Sequence, residues 1–171
     1  MMRMLESGGI PALTDQVRGA DVDNPRGYYE YEAVKTLKQD ASWVAGSSGK
    51  AVKMVYLLVY DLPPNVEYRV IFMHRNVEEM LASQKAMLER LGKSSTVPDA
   101  KMAVLFANHL VKFAAWAKER PNIRVLDVNY NDLVADPAPI VAGINSFLGG
   151  GLDTDAMARA VEPNLYRNRA S

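Results

Sequence analysis

The sequence predicts an α/β fold built on a parallel sheet, and three observations carry that reading. Val70-Ile71-Phe72 is a continuous apolar run rich in β-formers, as a strand buried on both faces requires. Polarity returns abruptly at His74-Arg75-Asn76, and Val77, Met80, Leu81, Met87, Leu88 and Leu91 then fall on one stripe at helical period. Ile123–Val128 repeats the pattern as a short buried strand ending at Asn129-Tyr130-Asn131-Asp132. Strands that alternate with helices pair in parallel, and sites in such folds gather at the carboxyl ends of the strands.

Composition bounds the rest. The 171 residues form a single domain spanning 1–171, and 49% apolar with 23% charged content is that of an ordinary soluble globular protein. Formal net charge is zero, so no bulk attraction to nucleic acid or to an anionic membrane is expected. The absence of cysteine excludes disulfides, thiolate metal sites and cysteine nucleophiles, and fits a cytoplasmic protein. No metal site is assigned. No apolar run approaches the roughly 18 residues of a membrane span, and the first residues lack a signal-peptide core.

Taken in order, residues 1–7 read as a helix stopped by Gly8-Gly9. It is far shorter than the ~12–15 residues of a marginally stable isolated helix, so it is either the back half of a longer one or a frayed terminus. Residues 10–27 are loop-like. Tyr28-Tyr29-Glu30-Tyr31-Glu32 then either lines a pocket or packs its tyrosines on the core edge. Gly46-Ser-Ser-Gly-Lys50 is no phosphate loop: its spacing is wrong, Ala51 stands where Ser or Thr is needed, and a strand follows rather than precedes it. That strand is expected over Ala51–Tyr60, with Lys53 either snorkelling to the rim or serving an anion.

Asn76 is the expected cap of the helix after Arg75, with Glu79 at the capping-box position. The next helix starts near Thr96, Pro98 and Asp99, and Met102, Leu105, Phe106, Leu110, Phe113 and Trp116 form its buried stripe. His109 falls on that stripe, as a satisfied core or boundary histidine or as a base. Ile140–Leu148 is an apolar helix closed by three glycines, Asp153–Val161 a last short helix, and the tail is polar and basic.

At this point the residues resemble a family. Arg75 after a strand, Ser83 eight residues later, and Asn129-Tyr130-Asn131-Asp132-Leu133 followed by Asp136-Pro137 look like the nucleotide-dependent sulfotransferases, the bacterial branch above all. Asp23-Asn-Pro-Arg-Gly-Tyr-Tyr-Glu30 and Leu165-Tyr166-Arg167 are similar to that branch too. The resemblance covers nearly the whole chain. It implies a three-layer fold like that of the P-loop NTPases and sulfuryl transfer from 3′-phosphoadenosine-5′-phosphosulfate (PAPS) to a hydroxyl or amine of a small molecule, glycan or peptide. It also implies roles: Arg75 and Ser83 on the 3′-phosphate, Tyr130 on adenine, Lys53 near the sulfuryl group, Glu30 as base, and Arg167 with Arg169 closing over the cofactor. Phosphate chemistry suits the first pair, since a guanidinium fork and a hydroxyl both donate to its oxygens.

Two departures qualify the resemblance. Where cytosolic animal relatives carry a catalytic histidine, two residues beyond Lys53, this chain has Val55. The family's first strand and its phosphosulfate-binding loop belong before Met1, so the fold is expected to be N-terminally incomplete. Each missing donor to a charged group is worth ~1.5–3 kcal/mol, and losing two or three weakens cofactor binding on the order of 10³-fold. That strand belongs between the strand ending at Arg75 and the one ending near Tyr130, so both are expected to lack their shared partner. A non-catalytic remnant keeping a 3′-phosphoadenosine half-site is the alternative, and another phosphate-binding α/β enzyme such as a small kinase the third reading.

Overall fold

The computed structural model describes residues 1–15, 17, 19–20, 27–90, 92–93 and 97–162. In chain order its elements are α1 (Met2–Ser7), three 3₁₀ helices (Glu32–Thr36, Ser42–Ser47 and Tyr56–Asp61), β1 (Tyr68–His74), α2 (Val77–Arg90), α3 (Asp99–Lys118), β2 (Ile123–Asn129), α4 (Tyr130–Ala135), α5 (Pro137–Leu148) and α6 (Thr154–Arg159). They fall into two compact units, one of Met1–Val66 with Gly149–Val161 and one around Glu67–Leu148.

In the first unit α1 stops where the glycines require. The amides of Gly8 and Gly9 close onto Met4 O and Glu6 O, and Gly9 takes φ +102°, a conformation open to glycine. The helix packs on α6, with Met4, Leu5 and Met157 almost fully buried. Gly8 is needed there for space, because a Cβ on it would lie 2.6 Å from Met157 Cγ. Asp153 caps α6 by accepting from the Ala156 amide at 2.8 Å.

The strand expected over Ala51–Tyr60 is not formed. Ala51 makes one parallel bridge to Ala12, and Tyr56–Asp61 turns as a 3₁₀ helix. The chain closes on itself there: the Leu58 amide bonds to Val55 O at 2.9 Å and the Leu62 amide to Val59 O at 3.3 Å, the spacing of three of a 3₁₀ turn. Val59 is buried within it, whereas Val55, Leu57 and Tyr60 face solvent.

In the second unit β1 and β2 pair directly and in parallel, in register from Tyr68↔Ile123 to His74↔Asn129. This corrects the expectation of a gap between them: each strand is the other's partner, and no place remains for a strand in between. Burial falls on both faces of the pair, since Ile123 and Val128 are buried at positions of opposite parity. β1 itself is half-buried, less enclosed than its apolar run suggested. The Phe72 ring lies 4.8 Å from that of Phe113, which seats α3 against one face. α5 contacts both strands through its own unit, with Val141 and Ile144 buried, and ends at Gly149, Gly150 and Gly151, all at positive φ. The described residues thus form a mixed α/β chain with a small two-stranded parallel sheet.

α3 buries Phe113 and Ala117 and half-buries Phe106, Leu110 and Trp116, but Leu105 and His109 are exposed. Residues 106, 110, 113 and 117 define the buried line at 3.6-residue period, and positions 105 and 109 lie one step, about 100°, off it. His109 is therefore not a core histidine.

Candidate functional site

Both strands of the sheet end in residues that cap a helix. Asn76 Oδ1 accepts from the Glu78 amide at 2.8 Å and the Glu79 amide at 3.4 Å, as the sequence suggested. Asn129 Oδ1 does the same for Asn131 at 2.8 Å and Asp132 at 3.3 Å. These caps satisfy helix-end amides that otherwise suit an anion, so an anion here depends on side chains. Between the two strand ends lies an open cleft of about 540 Å³ lined by His74, Arg75, Asn76, Val77, Glu78, Asn129 and Asn131.

Arg75 is the centre of this cleft's chemistry. Register places it there: His74 pairs with Asn129, so the residues that follow, Arg75 and Tyr130, emerge side by side. The guanidinium carbon stands 5.2 Å from the centroid of the Tyr130 ring, a cation–π separation. Its Nε lies 3.6 Å from Glu79 Oε2, one helical turn on. Glu79 is 3% exposed, and its other oxygen is 3.5 Å from Asn131 Nδ2. Beside this group, His74 Nε2 meets Asp127 Oδ1 at 2.6 Å on the solvent side.

Of the residues expected at the site, the structure therefore brings Arg75 and Tyr130 together. Tyr130 reaches the cleft through its contact with Arg75 and is not among the lining residues; Ser83, half-buried on α2 one further turn beyond Glu79, does not line the cleft either. Arg167 and Arg169 lie outside the described residues, as do Asp23–Arg26. Glu30 and Lys53 belong to the first unit. There Lys53 Nζ donates to the Tyr28 carbonyl at 2.8 Å and stands 5.7 Å over the Tyr28 ring, two residues from Glu30. Lys53 sits in extended chain after the Ala51 bridge, not in a strand, and is exposed.

Glu30 is held through its backbone: its carbonyl accepts from Thr14 Oγ1 at 2.9 Å and from the Asp15 amide at 3.4 Å. Between Tyr28 and Glu30, Tyr29 takes φ +52°, a left-handed conformation that costs a non-glycine residue about 1–3 kcal/mol. Its hydroxyl donates to Glu6 Oε2 at 2.8 Å, and desolvation, then that bond, raises its pKa. The aromatic–acidic run thus makes polar contacts with Lys53 and α1 and does more than fill a core edge.

Sequence reasoning missed two contacts made by residues of the cleft, Arg75 with Glu79 and His74 with Asp127. Glu79 was legible only as a capping-box carboxylate, because i to i+4 spacing from Arg75 says nothing about burial. The His74–Asp127 contact joins residues 53 apart and needed the strand register.

Among the described residues no helix is long and apolar enough to cross a membrane, and no cluster of metal-ligating side chains is formed. Comparison with curated proteins and with solved structures gives no match. The family model described as Sulfotransferase family matches residues 27–154, well over half of the sequence. That span includes Glu30, Lys53, Arg75, Ser83, Tyr130 and the whole of the β1–β2 cleft. The chain belongs to the sulfotransferase family.

Proposed function

We propose that the chain transfers a sulfuryl group from PAPS to a hydroxyl or amine acceptor, and that the β1–β2 cleft holds the 3′-phosphoadenosine end of that donor. The observation that supports this most is the juxtaposition of Arg75 and Tyr130 at the strand ends. A guanidinium fork suits a phosphate, and an aromatic ring next to it suits a purine. The residues present fit this group: Arg75, Asn129 and Asn131 line the cleft, an open space of about 540 Å³. Ser83 is assigned as a second phosphate donor, reached along α2.

The donor supplies an activated sulfuryl group and leaves as 3′,5′-adenosine diphosphate. This chain's own part is to bind the nucleotide, to take the acceptor's proton on the Glu30 carboxylate, and to stabilise charge near the sulfuryl group with the Lys53 ammonium. Glu30 serves as a base only within hydrogen-bond reach of the acceptor. The acceptor is assigned as a small molecule, glycan or peptide.

Calorimetry with 3′,5′-adenosine diphosphate tests the nucleotide half, and radiolabelled sulfuryl transfer tests the whole. Binding that disappears in Arg75→Ala is expected, together with transfer that falls at least 100-fold in Glu30→Gln. A folded chain that binds no 3′,5′-adenosine diphosphate would reject the assignment of the cleft. The second reading is a nucleotide-binding protein without transfer activity, favoured by the exposed, chemically inert Val55 at the position that, by resemblance to the cytosolic animal branch alone, would carry a histidine. It predicts binding lost in Arg75→Ala with no sulfuryl transfer by the unmodified chain.

A further inference from the structure

We infer that Glu79 is the positioning residue of the nucleotide cleft, a buried carboxylate that fixes the guanidinium of Arg75 for a 3′-phosphate. The inference rests on the reading of Arg75 as a phosphate ligand given above. Glu79 is the buried charged residue among those described, at 3% exposure. Its neighbour Glu78 also lies in the first turn of α2 but is exposed. An exposed first-turn carboxylate already complements the helix dipole, so the dipole does not account for burying a second one. Burial of a carboxylate is costly unless a cation and hydrogen bonds compensate it.

The compensation comes from the cleft. Arg75 Nε stands 3.6 Å from Glu79 Oε2, an ion-pair separation longer than a hydrogen bond, and both atoms are fully covered, while the Arg75 side chain as a whole keeps 31% of its surface exposed. The exposed part therefore lies on atoms other than Nε. Tyr130 contacts the guanidinium at 5.2 Å, and Asn131 Nδ2 meets Glu79 Oε1 at 3.5 Å. The guanidinium is thus held at its Nε edge by a carboxylate and supported by a ring, and its donors number five. A fork held in one orientation loses less conformational freedom on meeting a phosphate. Glu79 does not touch the ligand in this arrangement and acts through Arg75 alone.

The test compares two nucleotides that differ in the 3′-phosphate. The affinities of 3′,5′-adenosine diphosphate and of 5′-AMP are measured by calorimetry for the full chain, Arg75→Ala, Glu79→Ala and Glu79→Gln, with urea unfolding as a check on folding. Glu79→Ala is expected to weaken 3′,5′-adenosine diphosphate 10-fold or more and 5′-AMP less than 3-fold. Glu79→Gln, which still offers an oxygen to Arg75 Nε, is expected to stay within about 5-fold of the unmodified chain. Equal losses for both nucleotides in Glu79→Ala, or no loss for either, would overturn the positioning role while leaving the Arg75 assignment intact. If the unmodified chain binds neither nucleotide, or Arg75→Ala binds 3′,5′-adenosine diphosphate as well as it does, the cleft assignment fails and this inference with it. If Glu79→Ala does not unfold cooperatively, Glu79→Met, an apolar side chain of similar volume that offers no carboxylate, decides: a loss of 10-fold or more for 3′,5′-adenosine diphosphate with 5′-AMP changed less than 3-fold supports positioning, and equal losses overturn it.

Discussion

Arg75 and Tyr130 are 55 residues apart in sequence, farther than any local motif spans, yet the guanidinium carbon of one lies 5.2 Å from the ring centroid of the other. The contact follows from the strand register, in which the preceding residues His74 and Asn129 face each other. If the ring also stacks on a purine, its removal costs about 1–3 kcal/mol of nucleotide affinity. Tyr130→Leu is therefore expected to weaken 3′,5′-adenosine diphosphate roughly 10-fold by calorimetry, whereas Tyr130→Phe, which keeps the ring, changes it little. Equal affinity in Tyr130→Leu would remove Tyr130 from the site.

The cap at Asn129 supports the same place from below. Its side chain accepts from two amides of α4, the helix that Tyr130 begins. Asn129→Ala removes both bonds and is expected to cost about 1 kcal/mol, seen as a lower urea midpoint with unchanged slope. Asn129→Asp retains an acceptor and is expected to recover most of that loss. An alanine variant as stable as the unmodified chain would show that the cap contributes nothing measurable.

A steric prediction concerns the first unit. A Cβ on Gly8 would lie 2.6 Å from Cγ and 2.7 Å from Sδ of Met157, which is 0% exposed. Gly8→Ala is expected to destabilise by about 1–3 kcal/mol through overpacking. Met157→Ala leaves a cavity and costs about 2–5 kcal/mol. In the double variant the added methyl occupies part of that cavity, so the losses are expected to be less than additive. Strict additivity in this cycle would contradict the contact.

The outlines of the second unit were legible because periodicity reports burial within one element. The apolar runs around Val70 and Ile123, the stripe through Phe106 and Phe113 and the cap at Asn76 all depend on neighbours a few residues away. Direct pairing of β1 with β2 was not legible, because nothing in either strand's composition names its partner. The 3₁₀ turn at Tyr56–Asp61 was hidden by Tyr56, Val59 and Tyr60, residue types that favour strands but here yielded to i to i+3 backbone bonds. At the site, Arg75 and Tyr130 were marked by the family resemblance. The contacts of Glu79 with Arg75 and Asn131 exist only once α2 and α4 are placed.

The segment that carries Glu30 is anchored by a carboxylate whose titration gives the last prediction. Asp15 Oδ2 accepts from the Glu32 amide at 2.6 Å and Oδ1 from the Val17 amide at 3.1 Å. These backbone bonds, Glu32 first, hold the Asp15 pKa below its ordinary value, with a smaller contribution from the charge of Lys35. A carboxyl with a lower pKa in the folded state releases its proton on folding. Its contribution is therefore present above the unfolded value, near pH 4, and is lost as pH falls through the folded value. Asp15→Asn removes the titration. The variant is expected to be less stable than the unmodified chain at pH 7, and the difference in urea midpoint is expected to shrink as pH is lowered from 5 to 2.5. Because Asp15 is exposed, the effect is small and needs the paired comparison, in which every other carboxylate cancels. A difference that stays constant with pH would show that Asp15 does not hold the Glu30 segment through its charge.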